Sequence, residues 1–552
     1  MRKKTFLIAL MIAILALPLF FRQNIASFSP DHDVLVVISP HTEFICDEFE
    51  IGFADWYFKR TGRHVSIDFR HVGGSTETQR YLDALYDNGF RRYWEKTLHR
   101  DWSYEVQNNY GKPTFLGPDP HLDTLAQAAR RAFLASNISC GIDVLFGGGT
   151  LVFESQAKRG QLIPLSMIQE KPEWFVDDVM PAKWAGEWTR DPGSLWFGAA
   201  FSSYGIIYNR DSLKKLGIST PLHTWESLAD PHLIGQLALS DPTKSGASKK
   251  TFELIIQEQM QKAVASYMQQ PIDPKQAEAQ GIADGWLKGL HIIQKIAANA
   301  RYFTDKSTKP AIDVGSGDCA ASLTLDCYGL AQRENILERG GADRLVFTIP
   351  TAGSTLEPDP VALLRGAPHP ELARLFIEYI LSLDGQKIWA YRAGTPGGPN
   401  RYTLHRLCVR KDIYTDAHHP YLANPQLNPF SDPQRFTYHA EWTAPIFNCL
   451  HHILKAICID PHLELQEAWA AIINARNEGR TQDADRAQAI LEDFTGLSYD
   501  AVTGPLNDTF QMGTPLEAIT TQSLLANRFT QQYRKAKAIA NGVNRKGLLL
   551  SA

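Results

Sequence analysis

Gly141-Ile142-Asp143-Val144-Leu145-Phe146-Gly147-Gly148-Gly149-Thr150, continuing into Leu151-Val152-Phe153-Glu154, reads as a short buried strand, a three-glycine turn and the first turn of a helix. Glycine takes positive φ readily and lets another group approach the backbone. A helix start presents free N–H groups and the positive end of the peptide dipole. The end of this strand is therefore a place to hold an anion or a polar ligand, with Gly148, Gly149 and Thr150 as candidate contacts. A tight strand-to-helix turn with nothing bound would use the same residues. The spacing is neither that of a dinucleotide fingerprint nor that of a P-loop, and no Lys-Ser/Thr follows.

The pattern extends in both directions. Asp33–His41 is a near-continuous apolar run ending in polar residues, the signature of a central parallel strand. A helix follows with Ile45, Phe49, Phe53 and Trp56 at helical spacing, stopped by Gly62. Val65–Phe69 is a second strand, Val72-Gly73-Gly74-Ser75-Thr76 its polar loop, and Glu77–Leu85 the next helix. This alternation predicts an α/β layer structure. From about 86 to 140 the text changes to basic and aromatic residues among Asn, Pro and Gly, read as a covering insertion.

Beyond the opening stretch, Leu195–Asn209 is long and apolar with small residues in its middle, suited to cross between lobes. Asp241-Pro242-Thr243-Lys244-Ser245-Gly246-Ala247-Ser248 follows a strand and opens a helix with hydroxylic residues. Gly315-Ser316-Gly317-Asp318 leads to the strand Cys319–Leu325 and then to Asp326-Cys327-Tyr328-Gly329. Leu345–Pro350 is another strand, and Pro360–Leu364 precedes a helix with Leu372, Leu375, Phe376, Tyr379 and Ile380 on one face.

The whole-chain totals set limits. At 552 residues two or three domains are expected, and 44% hydrophobic with 21% charged residues is ordinary globular composition. A net charge of −4 gives no case for a nucleic-acid partner. Seven cysteines lie far apart without a Cys-x-x-Cys pair, so no zinc ribbon is read, and distant pairing in an oxidising compartment stays open. Arg2, Lys3 and Lys4 before an apolar run from Phe6 to Phe21 read as an export signal over residues 1–26, with an uncleaved anchor as the alternative.

Five stretches, Asp143–Leu165, Phe197–Leu213, Thr224–Lys244, Gly317–Arg333 and Pro350–Tyr391, together resemble the extracellular solute-binding proteins that feed ABC importers. More narrowly they resemble the ferric-iron, thiamine and polyamine branch with the type II periplasmic-binding fold. The resemblance implies an α/β, two-lobed architecture closing on a ligand, with an inserted segment and a C-terminal helical extension. Lobe 1 would hold residues 33–200 and 348–401, with the insertion at 86–140. Lobe 2 would hold 201–347, and residues 402–552 would form mostly helical structure packing on lobe 1.

The resemblance also places site residues. His41 stands where ferric-binding members carry a histidine after the first strand, and Tyr328 matches one of their two adjacent tyrosines. Asp326 and Tyr328 would supply oxygen donors to bound Fe(III) with a companion anion, whereas Cys327 is a poor substitute for the second tyrosine. Cleft-wall or hydrogen-bonding roles fit Tyr328 and His41 as well. Gly74, Ser75, Thr76, Gly148, Gly149, Thr150 and Ser245 complete the expected ligand contacts. His418, His419, His451 and His452 read as surface residues, since paired neighbours do not face one site. The expected protein is a non-enzymatic periplasmic receptor that delivers a small polar solute, ferric iron or a small anion, to an ABC permease. A sensor for a membrane histidine kinase, and a receptor for polyamine, thiamine or organic phosphate, are the alternatives.

Overall fold

The computed structural model describes residues 32–114, 116–431, 436–511 and 513–542. The expected export signal lies outside them. Among the described residues no helix is long and apolar enough to cross a membrane.

The first lobe is built from β1 (His32–Ile38), α1 (Glu43–Thr61), β2 (His64–Arg70), α2 (Ser75–Lys96), β3 (Val144–Phe146) and α3 (Thr150–Arg159). β1 pairs in parallel with both β2 and β3. α1 forms because Ile45, Phe49, Phe53 and Tyr57 recur at helical spacing and are buried. Phe49 packs 4.4 Å from the Trp389 ring and Phe53 5.0 Å from Phe376. Each such burial contributes about 1.5–3 kcal/mol. The helix stops at Gly62, where φ is 70° and the N–H returns to Phe58 O.

The chain then enters β4 (Phe197–Asn209), buried along its whole length. The second lobe adds β5 (Leu237–Ser240), α4 (Gly246–Tyr267), α5 (Pro274–Asn299), β6 (Ala300–Thr304), β7 (Ala321–Leu325), α6 (Asp326–Glu338) and β8 (Leu345–Thr348). β9 (Leu356–Leu364), α7 (Pro370–Leu381) and α8 (Leu383–Ala390) return to the first lobe. The main path of the ten-stranded sheet runs β2-β1-β3-β9-β4-β7-β5-β6.

β4 belongs to both lobes. Its Phe197–Ser203 half pairs antiparallel with β9, and Tyr204–Tyr208 pairs antiparallel with β7. Small residues are needed at the changeover: a Cβ on Gly205 would lie 2.4 Å from Thr348 O. β9 begins at Leu356, earlier than the expected Pro360, and carries Pro358 and Pro360 inside it. The register shifts between Asp359 and Pro360, and such an irregularity is where a central strand accommodates proline.

The segments beyond the common core differ from expectation. α2 does not stop near Leu85 but continues to Lys96, and the inserted residues pack a core of their own from Tyr86, Phe90, Trp94, Val106, Tyr110 and Phe133. The C-terminal extension is divided. Leu404, Leu407, Val409, Ile413 and Leu422 join the first lobe's core, whereas Phe436, Trp442, Leu450, Trp469, Phe529 and Tyr533 join the second lobe's. The expected packing of the whole extension on lobe 1 is therefore corrected. Its helices His462–Asn477, Thr481–Leu491 and Pro515–Ala540 sit against the second lobe, where their apolar faces share one core with Trp286, Leu290 and Ile293 of α5. All seven cysteines are free thiols. His418 and His452 are not simple surface residues, since they meet Tyr391 OH at 2.5 Å and Gln522 Oε1 at 3.0 Å.

Candidate functional site

A cavity of about 570 Å³ lies between the lobes, at the carboxyl ends of the strands. His41, Gly74, Ser75, Thr76, Gly148 and Gly149 line it from the first lobe, and Ser245 and Tyr328 from the second. Three helices point their N-termini toward this region: α2 and α3 from one lobe, α4 from the other. Their local chemistry differs, and the difference defines the site.

The α3 terminus is already filled by the protein's own carboxylates. Gly147, Gly148 and Gly149 have φ of 86°, 120° and 82°, which only glycine adopts without strain. A Cβ on Gly147 would lie 2.4 Å from His41 Cε1, so the turn and the histidine fit only without that side chain. Gly148 N–H donates to Asp359 Oδ1 at 2.7 Å. Thr150 donates to Glu357 Oε1 from its N–H at 3.3 Å and from its hydroxyl at 3.2 Å. Tyr204 OH donates to the other Glu357 oxygen. Thr150 is thus a buried structural contact, which corrects its expected role against ligand.

Asp359 also meets His41 Nε2 at 2.8 Å and accepts from Arg406, which donates to Ser202 as well. Burial alone would raise the Asp359 carboxyl, but His41, Arg406 and the Gly148 N–H outweigh it and hold the group well below the usual carboxylate range. Arg406 is 5% exposed, lines the cavity, and has a buried Nε without an acceptor among the described residues.

The other two termini are open. Gly74 is the N-cap of α2 and offers no capping side chain, leaving the first N–H groups at Ser75 and Thr76 uncapped. In α4 the Ser245 hydroxyl accepts from Ser248 N–H at 3.1 Å, which leaves the Gly246 and Ala247 N–H groups at the mouth. The two termini nearly touch: a Cβ on Gly246 would lie 3.3 Å from Ser75 Oγ. Ser245 Oγ also meets Ser307 Oγ at 2.9 Å.

Lys244, Lys249 and Lys250 line the cavity, as do the carboxylates Glu154, Asp305, Glu357 and Asp359, and Lys250 is held by Glu187 at 3.2 Å and Glu253 at 3.3 Å. Lys249 has no ion pair among the described residues, and its Nζ lies 4.1 Å from the centre of the Phe447 ring. Burial pushes its ammonium down to about 8.

Tyr328 and Asp326 are separated by function. Tyr328 lines the cavity, and burial pushes its phenol up. Asp326 does not line the cavity. It is fully buried, accepts from Ser203 N–H at 3.1 Å and Ser203 Oγ at 2.9 Å, and ties α6 to the crossing strand. Its expected place among the ligand contacts is corrected on that ground. Among the described residues no group of three His, Cys, Asp or Glu side chains is placed to hold a metal. Sequence reasoning missed Glu357, Asp359, Arg406, Lys249 and Phe447. A signal was present in Leu356-Glu357-Pro358-Asp359-Pro360, two carboxylates entering an apolar strand.

The chain is 25% identical over 257 residues to an uncharacterized protein of Haemophilus influenzae, covering 46% of this chain and 61% of that one. It is 26% identical over 226 residues to the phosphoglycerate transport regulatory protein of Salmonella typhimurium, covering 41% and 48%. A putrescine/agmatine-binding protein of Pseudomonas aeruginosa is 21% identical over 210 residues, covering 38% and 53%. The chain thus spans roughly half to three fifths of the length of the curated relatives it matches. Among solved structures, the apo ferric ion-binding protein A of Pasteurella haemolytica matches with a TM-score of 0.47 at 14% identity, covering 77% of this chain and 97% of that one. The periplasmic binding protein AfuA of Actinobacillus pleuropneumoniae, with fructose-6-phosphate bound, matches with a TM-score of 0.41 at 19% identity, covering 64% and 81%. Residues 152–405 match the family model of the bacterial extracellular solute-binding proteins.

Proposed function

We propose that this protein is an exported receptor that captures a small anionic solute between its lobes and hands it to an ABC permease in the membrane. One observation carries the reading: the open N-termini of α2 and α4 converge from opposite lobes on a cavity also lined by Lys249, which has no ion pair among the described residues. Helix N-termini favour negative charge, and a lysine with no carboxylate partner in a desolvated site gains one from an anion. The buried Arg406 Nε, without an acceptor among the described residues, adds a further donor. The name of the Salmonella relative, a phosphoglycerate transport regulatory protein, points to the same ligand chemistry.

Ferric iron with a companion anion is the weaker candidate. His41 Nε2 is engaged with Asp359, and the lining carries seven Lys and Arg residues against the four carboxylates Glu154, Asp305, Glu357 and Asp359, a balance that disfavours a cation. A polyamine meets the same balance. The term regulatory in the relative's name favours a second reading, in which the liganded protein signals to a membrane kinase. Calorimetry on the refolded, ligand-free chain tests the ligand class, with inorganic phosphate, ferric citrate and putrescine as titrants. Heat with phosphate and none with putrescine supports the anion. Binding of putrescine or iron alone would replace it.

A further inference from the structure

Part of the cavity wall lies outside the family segment. Gly111, Lys112 and Pro113 come from the insertion on the first lobe, and Pro445, Phe447 and Gln511 from the extension on the second. Both walls are fixed by packing. Arg130 holds the inserted loop by donating to Tyr110 O at 3.1 Å, and a Cβ on Gly111 would lie 3.2 Å from Arg159 Cζ. On the other side Gln511 Nε2 donates to Pro445 O at 3.4 Å, and Phe447 is 8% exposed above Lys249.

The cavity lining combines two chemistries. Helix N–H groups, Lys249 and Arg406, whose Nε has no acceptor among the described residues, suit a compact anion. Leu151, Pro113, Pro445 and the Phe447 ring, which lies 4.1 Å from Lys249 Nζ, supply apolar surface beside the charged Lys112, Glu154, Lys158 and Arg159. A volume of about 570 Å³ is far more than a bare phosphate fills and lies in the range typical of sites for small organic molecules, about 300–1,000 Å³.

We propose that the insertion and the extension together form a second subsite, which holds the organic body of an organophosphate while its phosphate sits between α2 and α4. This deepens the anion reading and rests on it. Phe447 is then both a binding surface and a specificity residue, and the segments added to the common fold select organophosphate over free phosphate. The site takes an organic monophosphate whose carbon part is apolar or aromatic enough to lie against Phe447 and Pro445.

The test is calorimetry on the full chain with inorganic phosphate and phenyl phosphate as probes, in the parent protein, Phe447→Leu, Phe447→Ala and Leu151→Ala. The expected result is phenyl phosphate at least tenfold tighter than inorganic phosphate, with that ratio falling at least fivefold in Phe447→Ala or Leu151→Ala and inorganic phosphate little changed. Phe447→Leu keeps apolar volume and should fall between. If inorganic phosphate binds but phenyl phosphate is no tighter, the second subsite is overturned and the anion reading stands. If Phe447→Ala weakens both probes equally, Phe447 acts only through Lys249 and the subsite is again overturned. If neither probe binds the folded parent, the anion reading itself fails and takes the subsite with it.

Discussion

Asp359 Oδ1 accepts the backbone N–H of Gly148 at 2.7 Å, so the glycine turn at the start of α3 holds an anion that the protein itself supplies. That carboxylate comes from β9, the strand beside the crossing strand β4. It joins the α3 terminus to His41 and Arg406 and leaves the termini of α2 and α4 as the open anion sites.

Asp359→Ala should destabilise the protein by about 3–5 kcal/mol, because it strands Arg406 as a buried unpaired charge. Its carboxyl is held below the usual range in the folded state. The stability it contributes is therefore present above the unfolded aspartate value of about 3.9, and is lost as pH falls below that toward the folded value. Thermal melts from pH 6 down to pH 3 should show a steeper loss in the parent than in Asp359→Asn. Equal slopes would mean that Asp359 is not the linked group.

Lys249→Gln should weaken phosphate binding at least tenfold with little change in melting temperature, since Lys249 makes no ion pair among the described residues. Its ammonium titrates near 8, so in the parent affinity should fall as pH rises from 7 to 9. A bound anion would raise that midpoint. Calorimetry at both pH values checks this, and a flat profile would exclude Lys249 from the site.

Gly147→Ala forces a side chain to φ 86° and places its Cβ 2.4 Å from His41. Backbone strain of this kind costs about 1–3 kcal/mol, with the clash added. Denaturant unfolding should report at least that loss. Gly148→Leu should also act mainly on stability, because its N–H serves Asp359; weaker binding without a stability change would instead place ligand at this turn.

The lobes should close on ligand about β4 and the β8–β9 connection. The lobes approach each other at Gly246 and Ser75. Small-angle scattering should give a larger radius of gyration for ligand-free protein than with phosphate or phenyl phosphate bound. An unchanged profile under confirmed binding would rule out hinge closure.

Ferric citrate should give no visible phenolate-to-iron band if the anion reading holds, because burial disfavours ionisation of Tyr328 and His41 is tied to Asp359. A band that Tyr328→Phe abolishes would restore iron as the cargo.

The sequence by itself determined the layers and most of the cleft. Apolar runs such as Val34–Ile38 have few ways to bury themselves other than as central strands, and polar loops after such strands collect at one edge of a parallel sheet. That is why His41, Gly74, Ser75, Gly148, Ser245 and Tyr328 could be placed together from spacing and resemblance. Only the tertiary structure decided which of these groups remain open. Asp359 and Arg406 are 47 residues apart and His41 is 318 from Asp359, so nothing local announces their contact. The same holds for Phe447 over Lys249, which exists because the extension's helices cover α5 of the second lobe. Hydrophobic pattern marks a face as buried, but it is non-directional and does not name the partner. Which surface each helix covers, and which donor each carboxylate occupies, is settled by packing of the whole chain.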